Sequence, residues 1–289
     1  MRKAWIPLLT GTVLLCSQLS VRAQELKEHI VKEFTLQKEA SLSTLGIYNL
    51  NGFIRVEGYA GDKVTMEIDK IISADDAANL EIGKKEFRLA FEQTGDSIIA
   101  YIAEPWDSRP RRINRHNYND RDDIEYRYEL SFTVKVPFAM NLDVSTVNHG
   151  NVDVKDVAGS LNVHNVNGSV TIDHAKGTTN ARTVNGSVVV NYASNPPGPS
   201  FYHTINGDIK VNYMPGFSAD LEFKSMHGQF YTDFSDAALL PVNAVKNEEK
   251  RGDGTVYRIN KITTVRFGTG GKIFKFETLN GSVYIKKQS

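Results

Sequence analysis

Asn165-Val166-Asn167-Gly168-Ser169-Val170-Thr171-Ile172-Asp173 and, eighteen residues later, Thr183-Val184-Asn185-Gly186-Ser187-Val188-Val189-Val190-Asn191 carry one pattern: polar, apolar, Asn, Gly, variable, apolar, variable, apolar, polar. The pattern returns at Thr204-Ile205-Asn206-Gly207-Asp208-Ile209-Lys210-Val211-Asn212 and at Ser225-Met226-His227-Gly228-Gln229-Phe230-Tyr231-Thr232-Asp233. Upstream, Thr146-Val147-Asn148 continues, after an inserted His149, into Gly150-Asn151-Val152-Asp153-Val154. Outlying copies stand at Asn51-Gly52 and at Asn280-Gly281. The glycines at 150, 168, 186, 207 and 228 are 18, 18, 21 and 21 residues apart, a regularity that marks structural repeats.

Each copy has an upstream half in which alternate residues are apolar: Leu161 and Val163, Leu221 and Phe223, Phe274 and Phe276. Period-two alternation is the pattern of a strand with one buried face. The unit is therefore strand, Asn-Gly corner, strand, and the chain is all-β. Asn and Gly suit a corner because they adopt positive φ at small steric cost. Two architectures follow. In an antiparallel meander or sandwich, each Asn-Gly closes a hairpin. In a β-solenoid, a single-stranded β-helix with two short strands per coil, equivalent residues stack about 4.8 Å apart. Only the second gives a reason for Thr or Asn to recur two places before each corner Asn, so the solenoid is the expectation. Asn148, Asn167, Asn185 and Asn206 would then form a ladder of amides. His174, Tyr192, Tyr213 and Phe234, each six places past a glycine, would form a row of rings closing the core.

Outside the repeats, residues 1–23 have the order of an export signal. Arg2 and Lys3 open it, an apolar run extends from Trp5 to Cys16, and a cleavage site is expected near Ala23-Gln24. Cleavage is preferred to lipidation at Cys16, the one cysteine, because Leu15 before it is not small. The remainder would carry no thiol, hence no disulfide or thiolate-bound metal, and 31 basic against 34 acidic residues after Arg2, Lys3 and Arg22 are removed. Such a balance disfavours nucleic acid as a partner. No later segment has the length and apolarity of a membrane helix. Residues 24–140 form an N-terminal β region, expected to be continuous with the repeat region 141–289. Within it, Ser73 to Leu80 is expected as a short helix capped by Ser73. Residues 104–124, with five Arg and four Asp, are expected to be a long mobile loop before a strand from Tyr126 to Val136. Pro196-Pro197-Gly198-Pro199 and residues 235–255 read as excursions, and Gly268-Thr269-Gly270-Gly271 as a turn.

The run from Tyr128 through Val136-Pro137 into the Val-Asn-Gly repeats resembles the putative-adhesin family, exported bacterial domains of unknown function with repetitive β folds. The resemblance implies architecture and an envelope location; its motif carries no catalytic residue.

Stacking would create rows of side chains along which catalytic or metal-binding groups could gather. The outward position three past each glycine holds Arg55, Asp153, Thr171, Val189, Lys210, Tyr231 and Tyr284, which contains no acidic cluster. Asp153 and Asp173 would be diagonal neighbours, but glycoside hydrolysis requires a supported pair. His164 and His203 share a position with Arg182 between them, too far apart for one metal ion. The row Asp173, Asn191, Asn212 and Asp233 reads as strand-end polarity rather than a calcium site. The expectation is a non-enzymatic structural or binding module without cofactor or metal. Tyr231 and Tyr284 would be its surface contacts to an envelope protein or glycan. The alternatives are a polysaccharide-acting enzyme on the same scaffold and a periplasmic partner of a signalling or assembly system.

Overall fold

The computed structural model describes residues 24–110, 124–241, 243–251 and 254–288. The expected export segment 1–23 and residues 111–123 of the charged stretch lie outside the described residues.

β1 (Gln24–Thr35), β2 (Thr44–Tyr48), β3 (Ile54–Tyr59) and β4 (Lys63–Ala74) lead to helix α1 (Ala77–Glu86). β5 (Arg88–Thr94), β6 (Ser97–Glu104) and β7 (Tyr126–Pro137) follow. The repeats supply β8 (Asn141–Ser145), β9 (Val152–Lys155), β10 (Leu161–His164), β11 (Val170–Ala175), β12 (Thr179–Arg182), β13 (Val188–Tyr192), β14 (Phe201–Asn206), β15 (Ile209–Tyr213), β16 (Ala219–Ser225) and β17 (Phe230–Thr232). β18 (Ala238–Leu239), β19 (Asn243–Arg251), β20 (Gly254–Phe267), β21 (Ile273–Asn280) and β22 (Val283–Lys287) complete the chain.

These strands make two mixed sheets over one core. The 10-stranded sheet runs β1-β4-β7-β3-β9-β11-β13-β15-β22-β17. The 12-stranded sheet runs β18-β20-β16-β21-β14-β12-β10-β8-β2-β6-β5, with β19 on β20. The fold is all-β, and as a whole it is a two-sheet sandwich. The expectation of one uniform solenoid is cut back accordingly: strands β1, β4, β5, β18, β19 and β20 pair antiparallel. Between them, neighbouring repeat units pair in parallel and in register, as in Val152↔Val170↔Val188↔Ile209↔Val283. Each Asn-Gly corner carries the chain from the 12-stranded sheet to the 10-stranded one, and we call each such pair of strands a rung.

Inward residues alternate as the sequence pattern requires. Val152, Val170, Ile172, Val188, Val190, Ile209 and Val211 from one sheet face Leu161, Val163, Ala181 and Tyr202 from the other, all buried. The rungs are tied together at their corners. The polar residue two before each corner Asn points into the core and donates to a carbonyl of the neighbouring rung: Thr146 Oγ1 to Gly52 O at 2.8 Å, Asn165 Nδ2 to Gly150 O at 3.0 Å, Thr183 Oγ1 to Gly168 O at 2.7 Å and Thr204 Oγ1 to Gly186 O at 2.8 Å. A buried carbonyl left without a donor costs about 1–3 kcal/mol, which accounts for the recurrence of Thr and Asn at this place. Outside the corner, Asn167 donates to Asn148 at 2.7 Å, Asn185 to Asn167 at 2.8 Å, Asn206 to Asn185 at 2.7 Å and Asn280 to Asn206 at 2.8 Å. Asn148 reaches Asn51 at 3.4 Å.

Three local expectations are corrected. The helix begins later than expected, because Ser73 belongs to β4; Asp76 is the cap and accepts from Asn79 N. The start of the charged stretch is pinned rather than mobile: Arg109 pairs with Glu92 and Asp107 and covers the Tyr101 ring at 3.9 Å, while Ser108 is buried and donates to Tyr48 O. Most of residues 235–255 belongs to β18 and the β19–β20 hairpin rather than to an open excursion. The strand from Tyr126 and the glycine turn at 268–271 stand as expected, the latter with φ of 55°, 75° and 129° at Gly268, Gly270 and Gly271.

Chain order and stacking order differ at the C-terminal end. The last copy, β21–β22, lies between β14–β15 and β16–β17, so Gly281 sits between Gly207 and Gly228.

Candidate functional site

The outward row expected from the glycine spacing exists on the 10-stranded sheet. Arg55, Asp153, Thr171, Val189, Lys210, Tyr284 and Tyr231 are consecutive register partners. Intercalation of β22 makes Tyr284 the neighbour of both Lys210 and Tyr231. The two tyrosine rings stack at 4.9 Å with an 8° interplanar angle, and the Lys210 ammonium lies 5.6 Å from the Tyr284 centroid. A cation over such a ring contributes about 0.5–1 kcal/mol at an exposed site. Tyr231 is 45% exposed and its hydroxyl donates to Gln229. Among the described residues it lies on the last strand of its sheet.

The other singled-out residues divide cleanly. Asn51, Asn148, Asn167, Asn185, Asn206 and Asn280 share the amide ladder, while His227, at the same position of the final rung, supplies no amide to it. Gly52, Gly150, Gly168, Gly186, Gly207, Gly281 and Gly228 stack against one another's backbones. The expected ring row is only partly present. Tyr192 and Tyr213 stack at 5.2 Å, but His174 points outward to Asp156, and Phe217 intervenes before Phe234. Asp153 pairs with Thr171 and Asp173 with Lys155, the diagonal relation expected. Asp173 accepts from Asn191, and Asn191 from Asn212, which makes a second polar row.

The opposite sheet carries the His164–Arg182–His203 row named from the sequence and, beside it, a polar row that the sequence reading passed over. Asp143, Asn162, Asn180, Phe201 and Lys275 are register partners on its outer face. Beside them run Ser145, His164, Arg182, His203 and Glu277. Asn162 donates to Asp143 at 2.6 Å and Asn180 to Asn162 at 2.7 Å, while the Tyr48 hydroxyl takes the other Asp143 oxygen at 2.7 Å. An open cleft of about 710 Å³ lies over these groups, walled by Ser160, Thr178 and Pro199. Burial holds the His164 and His203 imidazoles below their ordinary pKa; the Arg182 charge adds to both shifts, against Asp143 at His164 and Glu277 at His203. Asp143, Asn162, Asn180 and Phe201 are spaced by 19, 18 and 21 residues, so the row arithmetic used for the glycines would have found them on the upstream strands.

No protein-family model matches the sequence, and no curated protein matches it. Among solved structures, the chain is similar to a putative cell adhesion protein from Clostridium sporogenes ATCC 15579, with 8% identity over 91% of this chain and 100% of that one and a TM-score of 0.44. It is similar to a putative adhesin from Bacteroides fragilis NCTC 9343, with 12% identity, 90% and 97% coverage and a TM-score of 0.31. A putative lipid binding protein from Parabacteroides distasonis ATCC 8503 gives 9% identity, 90% and 97% coverage and a TM-score of 0.25. Likenesses this distant assign neither ligand nor role. Among the described residues no helix is long and apolar enough to cross a membrane.

Proposed function

We propose that the protein is a non-enzymatic binding module, exported to the bacterial envelope, that holds a protein or glycan surface against the aromatic end of its 10-stranded sheet. The observation that carries this reading is the stacked pair of exposed Tyr231 on half-buried Tyr284, in line with Lys210. The parallel rungs are best understood as a solenoid-like coil inside the sandwich, which would make the pair a rigid platform with little side-chain entropy to lose on binding. Residues 1–23 support export. The non-enzymatic reading is supported by the polar rows, where Asp143 and Asp173 each accept a hydrogen bond from a neighbouring amide.

A glycan and envelope-extract panel read for both binding and turnover tests the proposal. The expected outcome is binding without turnover, weakened at least about tenfold in a Tyr231→Ala/Tyr284→Ala variant, the loss of roughly 1.4 kcal/mol. Reproducible turnover would overturn the non-enzymatic reading, and binding unchanged in the double variant would remove the tyrosine platform.

A further inference from the structure

The cleft on the 12-stranded sheet is a different surface from the tyrosine platform, and its hydrogen-bonding groups are unevenly committed. An amide side chain has two N–H donors and one acceptor oxygen. Asn162 Oδ1 already accepts from Asn180 and lies 2.9 Å from His164 Nε2, and Asn180 Oδ1 accepts from Arg182 Nε at 2.8 Å. Both Asp143 oxygens accept, from Tyr48 and Asn162. The N–H groups left over are one on each of the two amides and those on the terminal nitrogens of Arg182, while the Asp143 carboxylate, also lining the cleft, keeps further acceptor sites at the β8 end.

Arg182 is unusually well placed. Its Nε is fixed by Asn180, and its guanidinium carbon lies 4.7 Å from the Phe201 centroid. Among the described residues no carboxylate pairs with it. A guanidinium fork held this way is preorganised for a carboxylate, because two parallel N–H donors match two oxygens. Lys275, another lining residue, makes only a 3.9 Å contact with Glu222. The cleft therefore offers positive charge at the Arg182–Lys275 side, neutral donors along its floor, and the Asp143 carboxylate, already accepting from Tyr48 and Asn162, at the far end.

We propose that this cleft binds the carboxylate-bearing sugar unit of an acidic glycan. Arg182 takes the carboxylate, and the free N–H groups of Asn162 and Asn180 take ring hydroxyl oxygens. The test is calorimetric titration of the whole protein with oligogalacturonides, hyaluronan oligosaccharides and sialyllactose, each beside its carboxyl methyl ester. At least one acid is expected to bind about tenfold or more tighter than its ester, since hydrogen bonds to a charged group are the stronger kind. Arg182→Gln should abolish that preference, while Tyr231→Ala/Tyr284→Ala should leave it intact, so this site and the tyrosine platform fail separately. No binding of any acid at millimolar concentration, equal binding of acids and esters, or a preference that survives in a folded Arg182→Gln protein would each overturn the proposal. The acid–ester comparison uses the unaltered chain and decides the matter even if the variant fails to fold.

Discussion

A methyl group at Gly186 has no room. Its Cβ would lie 2.6 Å from the Gly168 carbonyl carbon and 2.9 Å from Ser169 N, and backbone atoms inside a parallel sheet cannot move aside without separating the rungs. Gly207, Gly281 and Gly228 meet their neighbouring corners at 2.5–2.6 Å in the same way. The requirement for glycine here is close approach. Of the corner glycines only Gly52, at 111°, and Gly207, nearly extended at 159°, have positive φ. The turn-based reading thus identified the right residue for an incomplete reason, since a hairpin turn and a stacked corner both select glycine. Gly186→Ala should lower unfolding free energy by about 1–3 kcal/mol, the range for forced overpacking. Gly95→Ala is the control, because its Cβ would meet only the Lys38 side chain at 3.7 Å; it should stay within about 0.5 kcal/mol of wild type in urea titration. Equal effects of the two substitutions would contradict the corner packing described above.

At the scale of the strand, the same alternation that revealed the elements also explains where the reading failed. Register runs unbroken from Val170 to Ile172 against β13, then slips, so that Ala175 rather than His174 pairs with Tyr192. His174 takes φ 56° and turns outward to Asp156. A fixed count from the glycine cannot see a bulge, which is set by backbone geometry and leaves the composition unchanged. The upstream strands illustrate the opposite case. His164, Arg182 and His203 keep one row, and it has a measurable consequence. His164 is faced by Arg182 and Asp143, and His203 by Glu277, Arg182 and Lys224. With both imidazoles held below their ordinary value of 6.5, the unfolded chain binds more protons than the folded one as pH falls past that value. Their contribution is complete above about pH 6.5 and declines below it, until the depressed folded values are reached. A His164→Gln/His203→Gln variant should therefore show a flatter fall in midpoint denaturant concentration between pH 6.5 and 5 than wild type. An identical slope would show that these rings do not couple to folding.

At the scale of the molecule, the sandwich is assembled out of chain order. Parallel stacking requires only that a unit present matching edges, so spacing in the sequence could reveal the copies at Gly228 and Gly281 but not which of them lies inside the other. The consequence concerns how the C-terminal end forms. β17 has β22 as its strand partner, and β16 lies between β21 and β20. Phe223 of β16 packs on Phe276 of β21 at 5.1 Å, and Phe276 in turn on Tyr202 of β14 at 4.8 Å, so the buried aromatic chain runs through the last copy. Joining distant segments carries a loop-closure cost before contacts offset it, and the closure here spans residues 219–287. Pulse-labelled hydrogen exchange during refolding of the whole chain should accordingly show Phe230–Thr232 gaining protection no earlier than Val283–Lys287, with Val170–Tyr192 protected before either. Early protection of Phe230–Thr232 would mean that β17 first docks on β15 directly and is later displaced by β22. That route would require breaking a formed parallel edge, and its slow exchange step would appear as a second kinetic phase confined to these strands.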